Sequence, residues 1–345
     1  MADAGRVAGR EVRRADLQAG RPEGDRQQPA AAVLLLGHPG PGQEVRRLLA
    51  AALLLVLAGC GGGTTATPAR PTTSPTASGS FSLVPAHARY VALGDSYTAA
   101  PYVYLTDVAQ GCLRSDHNYP ALLAKRLGAR LTDVSCSAAD TTDVEGSQRT
   151  FQGTRPPQLA AVGSDTDLVT IGLGGNDFGL FASLVSGCPI TGPNGQSFGL
   201  QSGTACGRVD VAAALGDLPK IRERLVSVVR AVQAKAPNAT VVLVGYPRIA
   251  STGAQCRSLL PISQTDAVAA DRVTKALSTA MAAAARQTGA GFVNMYAASA
   301  GHDVCAGKRA WVNGIHTDTD RAAPLHPFLA EQRAVADRVA AALAG

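Results

Sequence analysis

The sequence predicts an α/β protein in which one parallel β-sheet lies between two layers of helices. From Arg89 onward, short apolar stretches alternate with longer stretches whose apolar residues recur at helical spacing. The short stretches are rich in Val, Ile and Leu without polar alternation, which is typical of strands buried on both faces. This alternation predicts a three-layer, doubly wound fold with right-handed crossovers, formed by residues 86–345 as one domain.

Five strands are predicted from these apolar runs. The five are 89–94, 130–135, 167–173, 240–246 and 291–295. Helical spacing predicts helices at Tyr119–Leu127, Val209–Lys235, Thr265–Gln287 and Phe328–Leu343, the last one started by Pro327. Segments 187–207 and 250–262 are rich in Gly, Ser, Cys and Pro and are predicted to form loops on the substrate side.

Composition and charge describe an ordinary globular protein. The chain is 46% hydrophobic and 17% charged, with a formal net charge of +6. The first 59 residues hold 8 Lys and Arg and 6 Asp and Glu, so the remainder carries +4 (24 minus 20). Without a run of like charges, this excess does not indicate a nucleic-acid partner.

Residues 45–59 have the pattern of a secretory signal peptide. Arg46 and Arg47 precede an apolar stretch, 48–57, which ends at Ala58-Gly59-Cys60. A helix of this length spans only about 15 Å, so a permanent transmembrane helix is not expected. The 57–60 ending resembles the lipobox of bacterial lipoproteins and predicts a lipid on Cys60; the alternative is plain secretion with an incidental cysteine.

A signal peptide is expected to begin at the start of translation, whereas this one begins 45 residues in. Our hypothesis is that Val45 is a GTG start codon and that residues 1–44 are an extension upstream of the true start. Residues 60–85 are rich in Thr, Pro, Ser and Gly and predict a disordered tether between anchor and domain.

The domain contains six cysteines, and an even number in an exported chain predicts disulfides. They are Cys112, Cys136, Cys188, Cys206, Cys256 and Cys305. Six cysteines allow fifteen connectivities, of which sequential pairing is the simplest. No Cys-x-x-Cys motif and no His pair at ligand spacing is present, so a zinc site is not predicted.

Two predicted strands end in blocks that can carry chemistry. Gly94-Asp95-Ser96 ends the first strand, and Gly174-Gly175-Asn176 follows the third. Because active sites collect at the carboxyl ends of parallel strands, Ser96 and Asn176 are expected to face one crevice although 80 positions separate them. Ser96 is a candidate nucleophile and Asn176 a candidate oxyanion donor. The alternatives are helix caps, a role that we assign to Asp177.

His326 is the candidate base, because it precedes Pro327 on a loop that can bring it over the crevice. Two further histidines, His302 and His316, lie in a late loop and are the alternative bases. His117 precedes Asn118-Tyr119-Pro120 and is assigned to a surface turn.

These three blocks resemble those of the SGNH (GDSL) hydrolase family, in particular its secreted actinobacterial esterases and lipases. The resemblance covers about 89–345 and implies a flavodoxin-like sandwich with five parallel strands. It implies Ser96 as nucleophile, His326 as base, and an oxyanion hole made by Ser96, Ala138 and Asn176. Ala138 stands where the family has Gly, in a block similar to Cys-Ser-Gly-Ala, and its N–H can donate as long as φ stays negative.

The chain departs from the family at the third member of the triad. The family has Asp three residues before the His, and here that residue is Ala323. Some actinobacterial members are similar, and in them a main-chain carbonyl accepts the Nδ1 proton. We therefore predict a Ser–His dyad oriented by the Ala323 carbonyl, with Asp318 or Asp320 as the alternative.

The predicted function is carboxylic ester hydrolysis through an acyl-enzyme, without metal or organic cofactor, by an exported monomer that acts on ester or lipid substrates. The lipid anchor on Cys60 is its only predicted link to a membrane. The enzymatic alternative is removal of acetyl groups from carbohydrate. The non-enzymatic alternative is a wall- or carbohydrate-binding lipoprotein, which would be expected to lack one of the three blocks.

Overall fold

The computed structural model describes residues 77–78, 84–198, 205–253 and 255–344. The predicted extension 1–44, the signal peptide 45–59, Cys60 and most of the predicted tether lie outside the described residues.

A parallel five-stranded sheet forms the centre of the domain, as predicted. The strands are β1 (Arg89–Gly94), β2 (Arg130–Asp133), β3 (Leu168–Gly172), β4 (Thr240–Val244) and β5 (Gly291–Val293). Their order in the sheet is β2-β1-β3-β4-β5, the flavodoxin-like order. The largely apolar runs of β3 and β4 are buried along their entire length, which confirms the interpretation of those runs.

One further strand at the edge of the sheet was not predicted. Ala77–Ser78 pairs antiparallel with β5, Ala77 opposite Val293 and Ser78 opposite Phe292. These two residues belong to the stretch that the composition assigns to the tether. Backbone pairing of two residues needs no apolar pattern, so the sequence carries no signal for it.

Helices cover both faces of the sheet. They are α1 (Ser96–Ala99), α2 (Tyr119–Leu127), α3 (Leu180–Leu184), α4 (Val211–Lys235), α5 (Gln264–Thr288), α6 (Met295–Ala298) and α7 (Leu329–Leu343). Short 3₁₀ turns occur at Thr141–Val144, Gln158–Ala161, Asp177–Gly179 and Gly307–Arg309. No helix in the described ranges is both long and apolar enough to span a membrane.

Alternate residues of β1 point into the two halves of the core. Val91 and Leu93 pack with the apolar faces of α4 and α5, whereas Tyr90 and Ala92 pack with those of α2 and α7. The predicted three-layer arrangement is therefore confirmed.

The first residue of each of three helices is fixed by a capping side chain, which the apolar spacing alone does not locate. Asn118, Asp210 and Ser263 each accept a backbone N–H in the first turn of α2, α4 and α5. The last helix, predicted at Phe328–Leu343, begins one residue later at Leu329, and the prediction that Pro327 starts it was wrong. Pro327 instead forms a β-bridge with Val312, and Phe328 is the N-cap of α7.

The loops at the carboxyl ends of the strands carry the remaining regular structure. Three two-stranded ribbons lie there: Thr106–Asp107 with Arg114–Ser115, Gln148–Thr150 with Gly153–Arg155, and Ile190–Thr191 with Ser197–Phe198. The six cysteines form three disulfides in sequential order, Cys112–Cys136, Cys188–Cys206 and Cys256–Cys305. Cross-links of this kind restrict the unfolded chain, and here they connect the loops around the candidate site.

A buried carboxyl on α7 makes the stability of the domain depend on pH. Glu331 is 3% exposed and accepts one hydrogen bond, from Gln332 Nε2 at 2.8 Å. Burial raises the pKa of Glu331 to about 8, so the folded protein holds this proton at pH values where the unfolded chain has lost it. Stability from this group is therefore present at low pH and is lost as the pH rises from about 4.5 to about 8.

The Glu331→Gln variant, which is neutral at every pH, is expected to gain thermal stability over the wild type progressively between pH 5 and pH 8. Thermal denaturation at several pH values measures the difference. The matched control is Glu223→Gln, because the Glu223 side chain is 73% exposed, and this variant should show no such trend. A Glu331→Gln gain that is equal at all pH values would contradict the assignment.

Candidate active site

The candidate nucleophile stands at the start of α1, directly after β1. Asp95 caps the helix by accepting the Tyr97 N–H at 2.8 Å, which makes Ser96 its first residue. The turn needs glycine before it, because a Cβ on Gly94 would lie 2.1 Å from Thr98 Oγ1. Ser96 is half-buried, and its N–H is one of those that a helix start leaves unpaired. The hydroxyl and the N–H of Ser96 therefore lie together at the carboxyl end of β1.

His326 and Ser96 are in hydrogen-bond contact. His326 Nε2 lies 2.7 Å from Ser96 Oγ, and His326 Nδ1 lies 2.6 Å from the Pro324 carbonyl oxygen. With Nδ1–H donating to that carbonyl, Nε2 is left as an acceptor for the serine proton. The ring is held from a second side by Tyr97, whose ring centroid is 5.2 Å from that of His326. This pair has the geometry of a nucleophile and its base.

The residue that orients His326 is Pro324, and the prediction of the Ala323 carbonyl was wrong. The Ala323 oxygen accepts the backbone N–H of His326 at 3.2 Å and Asn313 Nδ2 at 3.1 Å. It is therefore turned away from the imidazole. The turn continues through Leu325 with φ +60°, and this left-handed residue leaves the Pro324 carbonyl facing Nδ1.

Neither alternative carboxylate replaces that carbonyl in the part of the chain that the structure describes. Asp318 Oδ2 lies 3.7 Å from Arg321 Nη1, and Asp320 is exposed to solvent. Burial lowers the pKa of His326 below its ordinary value, and the hydrogen bond to Pro324 opposes this only in part. His326 is therefore neutral, and ready to accept a proton, at neutral pH.

Asn176 and Ala138 lie on the two loops that follow β3 and β2. Asn176 Nδ2 donates to the Ala139 carbonyl at 2.9 Å, which fixes the amide and leaves its second N–H available. Ala138 was expected to donate its N–H with a negative φ, but its φ is +66°. That left-handed conformation suits glycine and costs alanine about 1 kcal/mol, yet it leaves the Ala138 N–H without an acceptor among the described residues.

Asp177 connects these two loops, and the prediction that it caps a helix was wrong. Its carboxylate accepts the Thr141 N–H at 3.1 Å and the Thr141 hydroxyl, and it pairs with Arg224 of α4 at 3.0 Å. The side chain is fully buried, so these contacts offset the cost of burying its charge. Asp177 thereby holds the Asn176 loop against the Ala138 loop.

An apolar cleft of about 230 Å³ opens at Ser96, Asn176 and His326. Its walls come from α3, α5 and the loops after β3 and β4. The large apolar side chains that line the cleft are Phe181, Leu184, Val185, Ile190, Ile249, Leu260, Ile262 and Leu325. The predicted substrate-side loops at 187–207 and 250–262 both contribute to these walls. The cleft can hold an apolar group attached to a carbonyl at Ser96.

The alternative bases lie elsewhere. His302 Nδ1 is 2.7 Å from the Arg309 carbonyl oxygen and its ring stacks on Trp311. His316 is exposed, with Nδ1 2.9 Å from Thr191 Oγ1. His117, assigned to a surface turn, pairs with Asp116. The described residues contain no group of three or more His, Cys, Asp or Glu arranged to hold a metal ion.

Three residues around the site were not singled out from the sequence. Tyr246 contacts Asp95 and Gly175. The Gln158 amide accepts the Gly94 N–H and donates to the Gly94 carbonyl. Arg224 pairs with Asp177. Tyr246 could have been found, because a polar group near the carboxyl end of a buried strand is a site signal. Arg224 carries a weaker signal, a charge next to the apolar stripe of α4. Gln158 lies in a loop without any pattern.

The chain is similar in sequence and in structure to proteins of one known family. Residues 92–330 match the profile of the GDSL-like Lipase/Acylhydrolase family. The chain is 36% identical over 256 residues to Lipase 2 of Streptomyces coelicolor, covering 72% of this chain and 83% of that protein. It is 31% identical over 264 residues to an esterase of Streptomyces scabiei, covering 66% of this chain and 76% of that protein.

Two crystal structures are similar over nearly their whole length. They are a phospholipase A1 from Streptomyces albidoflavus and an extracellular lipase from Streptomyces rimosus. Each is 29% identical, with a TM-score of 0.59 over 74% of this chain and 99% of the other. The chain therefore belongs to the GDSL-like lipase/acylhydrolase family and is a carboxylic ester hydrolase.

Proposed function

We propose that this hydrolase cleaves esters of medium- and long-chain fatty acids through an acyl-enzyme on Ser96, with His326 as the base. The observation that carries the proposal is the 2.7 Å contact between Ser96 Oγ and His326 Nε2 at the mouth of an apolar cleft. Ester hydrolysis through an acyl-enzyme requires a nucleophile with its base, and the apolar walls fit an acyl group.

In the first half of the reaction, His326 Nε2 removes the proton from the Ser96 hydroxyl as the oxygen attacks the ester carbonyl. The C–O bond to the alcohol then breaks, and the alcohol leaves with the proton from His326. Water repeats the sequence on the acyl-enzyme, giving its proton to His326 and releasing the acid. The Pro324 carbonyl, 2.6 Å from Nδ1, keeps the ring in the orientation that both halves need.

The negative charge on the carbonyl oxygen requires donors that are in place before the reaction. We assign this role to the N–H groups of Ser96 and Ala138 and to the free N–H of the Asn176 amide. The Asn176 contact with the Ala139 carbonyl supports the assignment, because it fixes the amide before substrate binds.

The walls of the cleft favour an acyl chain over a sugar as the bound group. A carbohydrate deacetylase must bind sugar hydroxyls with polar groups, whereas eight of the lining side chains are large and apolar. The relatives named lipase and phospholipase A1 point to the same class of substrate. For this reason, carbohydrate deacetylation is the second candidate function.

We further propose that the enzyme acts outside the cell. Three disulfides are typical of an oxidising compartment, and one relative is described as an extracellular lipase. The lipid on Cys60 stays a prediction from the sequence. Its test is the mass of the mature N-terminal fragment.

Hydrolysis of p-nitrophenyl esters from acetate to palmitate tests the substrate class. Each buried methylene stabilises the bound state by about 0.8 kcal/mol, so kcat/KM should rise up to about fourfold per methylene until the cleft is filled. Replacing the buried wall residue Ala270 with leucine should lower the value for octanoate and leave that for acetate unchanged. A preference for acetate would contradict the proposal and favour the deacetylase.

The pH profile of kcat/KM tests the dyad. Protonated His326 is inactive and its pKa is lowered by burial, so activity should rise with pH through a midpoint below about 6.5. The Asp318→Ala/Asp320→Ala double variant should keep the same midpoint, since neither carboxylate contacts the imidazole. Burial raises the pKa of Asp95 to about 7, so its carboxyl could also titrate in this range. Asp95→Asn removes that carboxyl and should keep the same midpoint if the midpoint belongs to His326. A midpoint above about 7, or one that moves by a unit in the double variant, would show that a carboxylate orients His326.

A further inference from the structure

The hydroxyl of Tyr246 connects the loop that carries Ser96 with the loop that carries Asn176. It donates to Asp95 Oδ2 at 2.6 Å and accepts the Gly175 N–H at 2.9 Å. Asp95 directly precedes Ser96, and Gly175 directly precedes Asn176. Tyr246 itself is buried, with 3% of its surface exposed, and it does not line the cleft.

Packing holds the Tyr246 ring where these two bonds form. The ring meets Tyr97 edge to face with 5.2 Å between centroids, and Phe181 in the same way at 4.8 Å. On its third side lies Gly175, where a Cβ would be 3.0 Å from Tyr246 Cζ and 2.3 Å from Phe181 Cε2. Glycine is therefore required for the Asn176 loop to approach the phenol this closely.

Asp95 is fixed at both oxygens, which makes it a rigid partner. Oδ1 accepts the Tyr97 N–H at 2.8 Å, and Oδ2 accepts the phenol. The carboxyl is 1% exposed. Burial raises its pKa to about 7, and the hydrogen bond from Tyr246 is the largest of the contacts that oppose this shift. Without the phenol, Oδ2 would lose its donor in a buried environment.

We infer that Tyr246 is a positioning residue that fixes the Asn176 oxyanion donor relative to the Ser96 nucleophile. The inference rests on the proposed roles of Ser96 and Asn176. The two groups act on neighbouring atoms of one carbonyl, the hydroxyl on carbon and the amide on oxygen. Their separation must therefore be right at the transition state, and a misplacement of about 1 Å can cost about a hundredfold in rate.

Tyr246→Phe keeps the ring and removes both hydrogen bonds. Because the oxyanion forms only in the transition state, kcat for p-nitrophenyl butyrate should fall about 10- to 100-fold while KM stays within about twofold. The matched control is Tyr90→Phe, which loses a buried hydroxyl bonded to Thr170 Oγ1 at 2.7 Å, away from the site loops. It should keep wild-type kcat and KM at a temperature where both variants are fully folded by thermal denaturation.

A double-mutant cycle separates positioning from general loosening. If Tyr246 acts through the Asn176 amide, Tyr246→Phe should cost less than about threefold in kcat in an Asn176→Ala background. Asp95→Asn weakens the contact between Tyr246 and the Ser96 loop, because an amide has one acceptor oxygen for the two donors, Tyr97 N–H and Tyr246 OH. It should show the same coupling to Asn176→Ala, and it replaces Tyr246→Phe in the cycle if that variant does not fold.

Wild-type kcat in Tyr246→Phe, or an equal loss in both backgrounds, would overturn the inference while Ser96→Ala remains inactive. Full activity of Ser96→Ala would instead overturn the proposed function, and the inference with it. The two failures are thereby distinguished.

Discussion

The parallel pairing of β1 with β3 is the constraint on which the site depends. Gly94 lies opposite Gly172 in this pairing, so the turns that carry Ser96 and Asn176 leave the sheet side by side. Both positions need glycine for one reason: an added Cβ would lie 2.1 Å from Thr98 Oγ1 at Gly94 and 2.4 Å from the same atom at Gly172. The first turn of α1 therefore packs directly on the ends of two strands. Any side chain there would move the nucleophile away from the sheet.

The third part of the site comes from the far end of the chain and is held by main-chain groups. His326 is oriented by the Pro324 carbonyl, and Tyr97 OH donates to the Leu325 carbonyl at 2.7 Å. A neutral carbonyl stabilises a protonated imidazole less than a carboxylate does. Burial lowers the pKa of His326, and the hydrogen bond to the Pro324 carbonyl opposes this only in part. Both the weak partner and the burial therefore favour the neutral imidazole over the charged one.

The five strands and the blocks that carry Ser96, Asn176 and His326 could be predicted because their signals are local, whereas the flavodoxin-like architecture was implied only by the resemblance to a family. Buried parallel strands have continuous apolar runs, and the blocks at their carboxyl ends have distinctive residues. The choice between the Ala323 and Pro324 carbonyls could not be predicted, because every residue has a carbonyl and its direction depends on the backbone angles of Leu325. The positive φ of Ala138 is hidden for a similar reason, since alanine rarely adopts it. Tyr246 and Asp95 meet across 151 positions, a contact that only the assembled sheet produces.

The central claim, that Ser96 is a nucleophile activated by His326, is tested most directly by covalent labelling. Intact mass measurement after incubation with a fluorophosphonate should show one adduct, located on Ser96 by peptide mapping. Ser96→Ala should remain unlabelled, and His326→Ala should react at least about a hundredfold more slowly, since a general base contributes at least that factor. An adduct on another residue, or labelling of His326→Ala at the wild-type rate, would contradict the account.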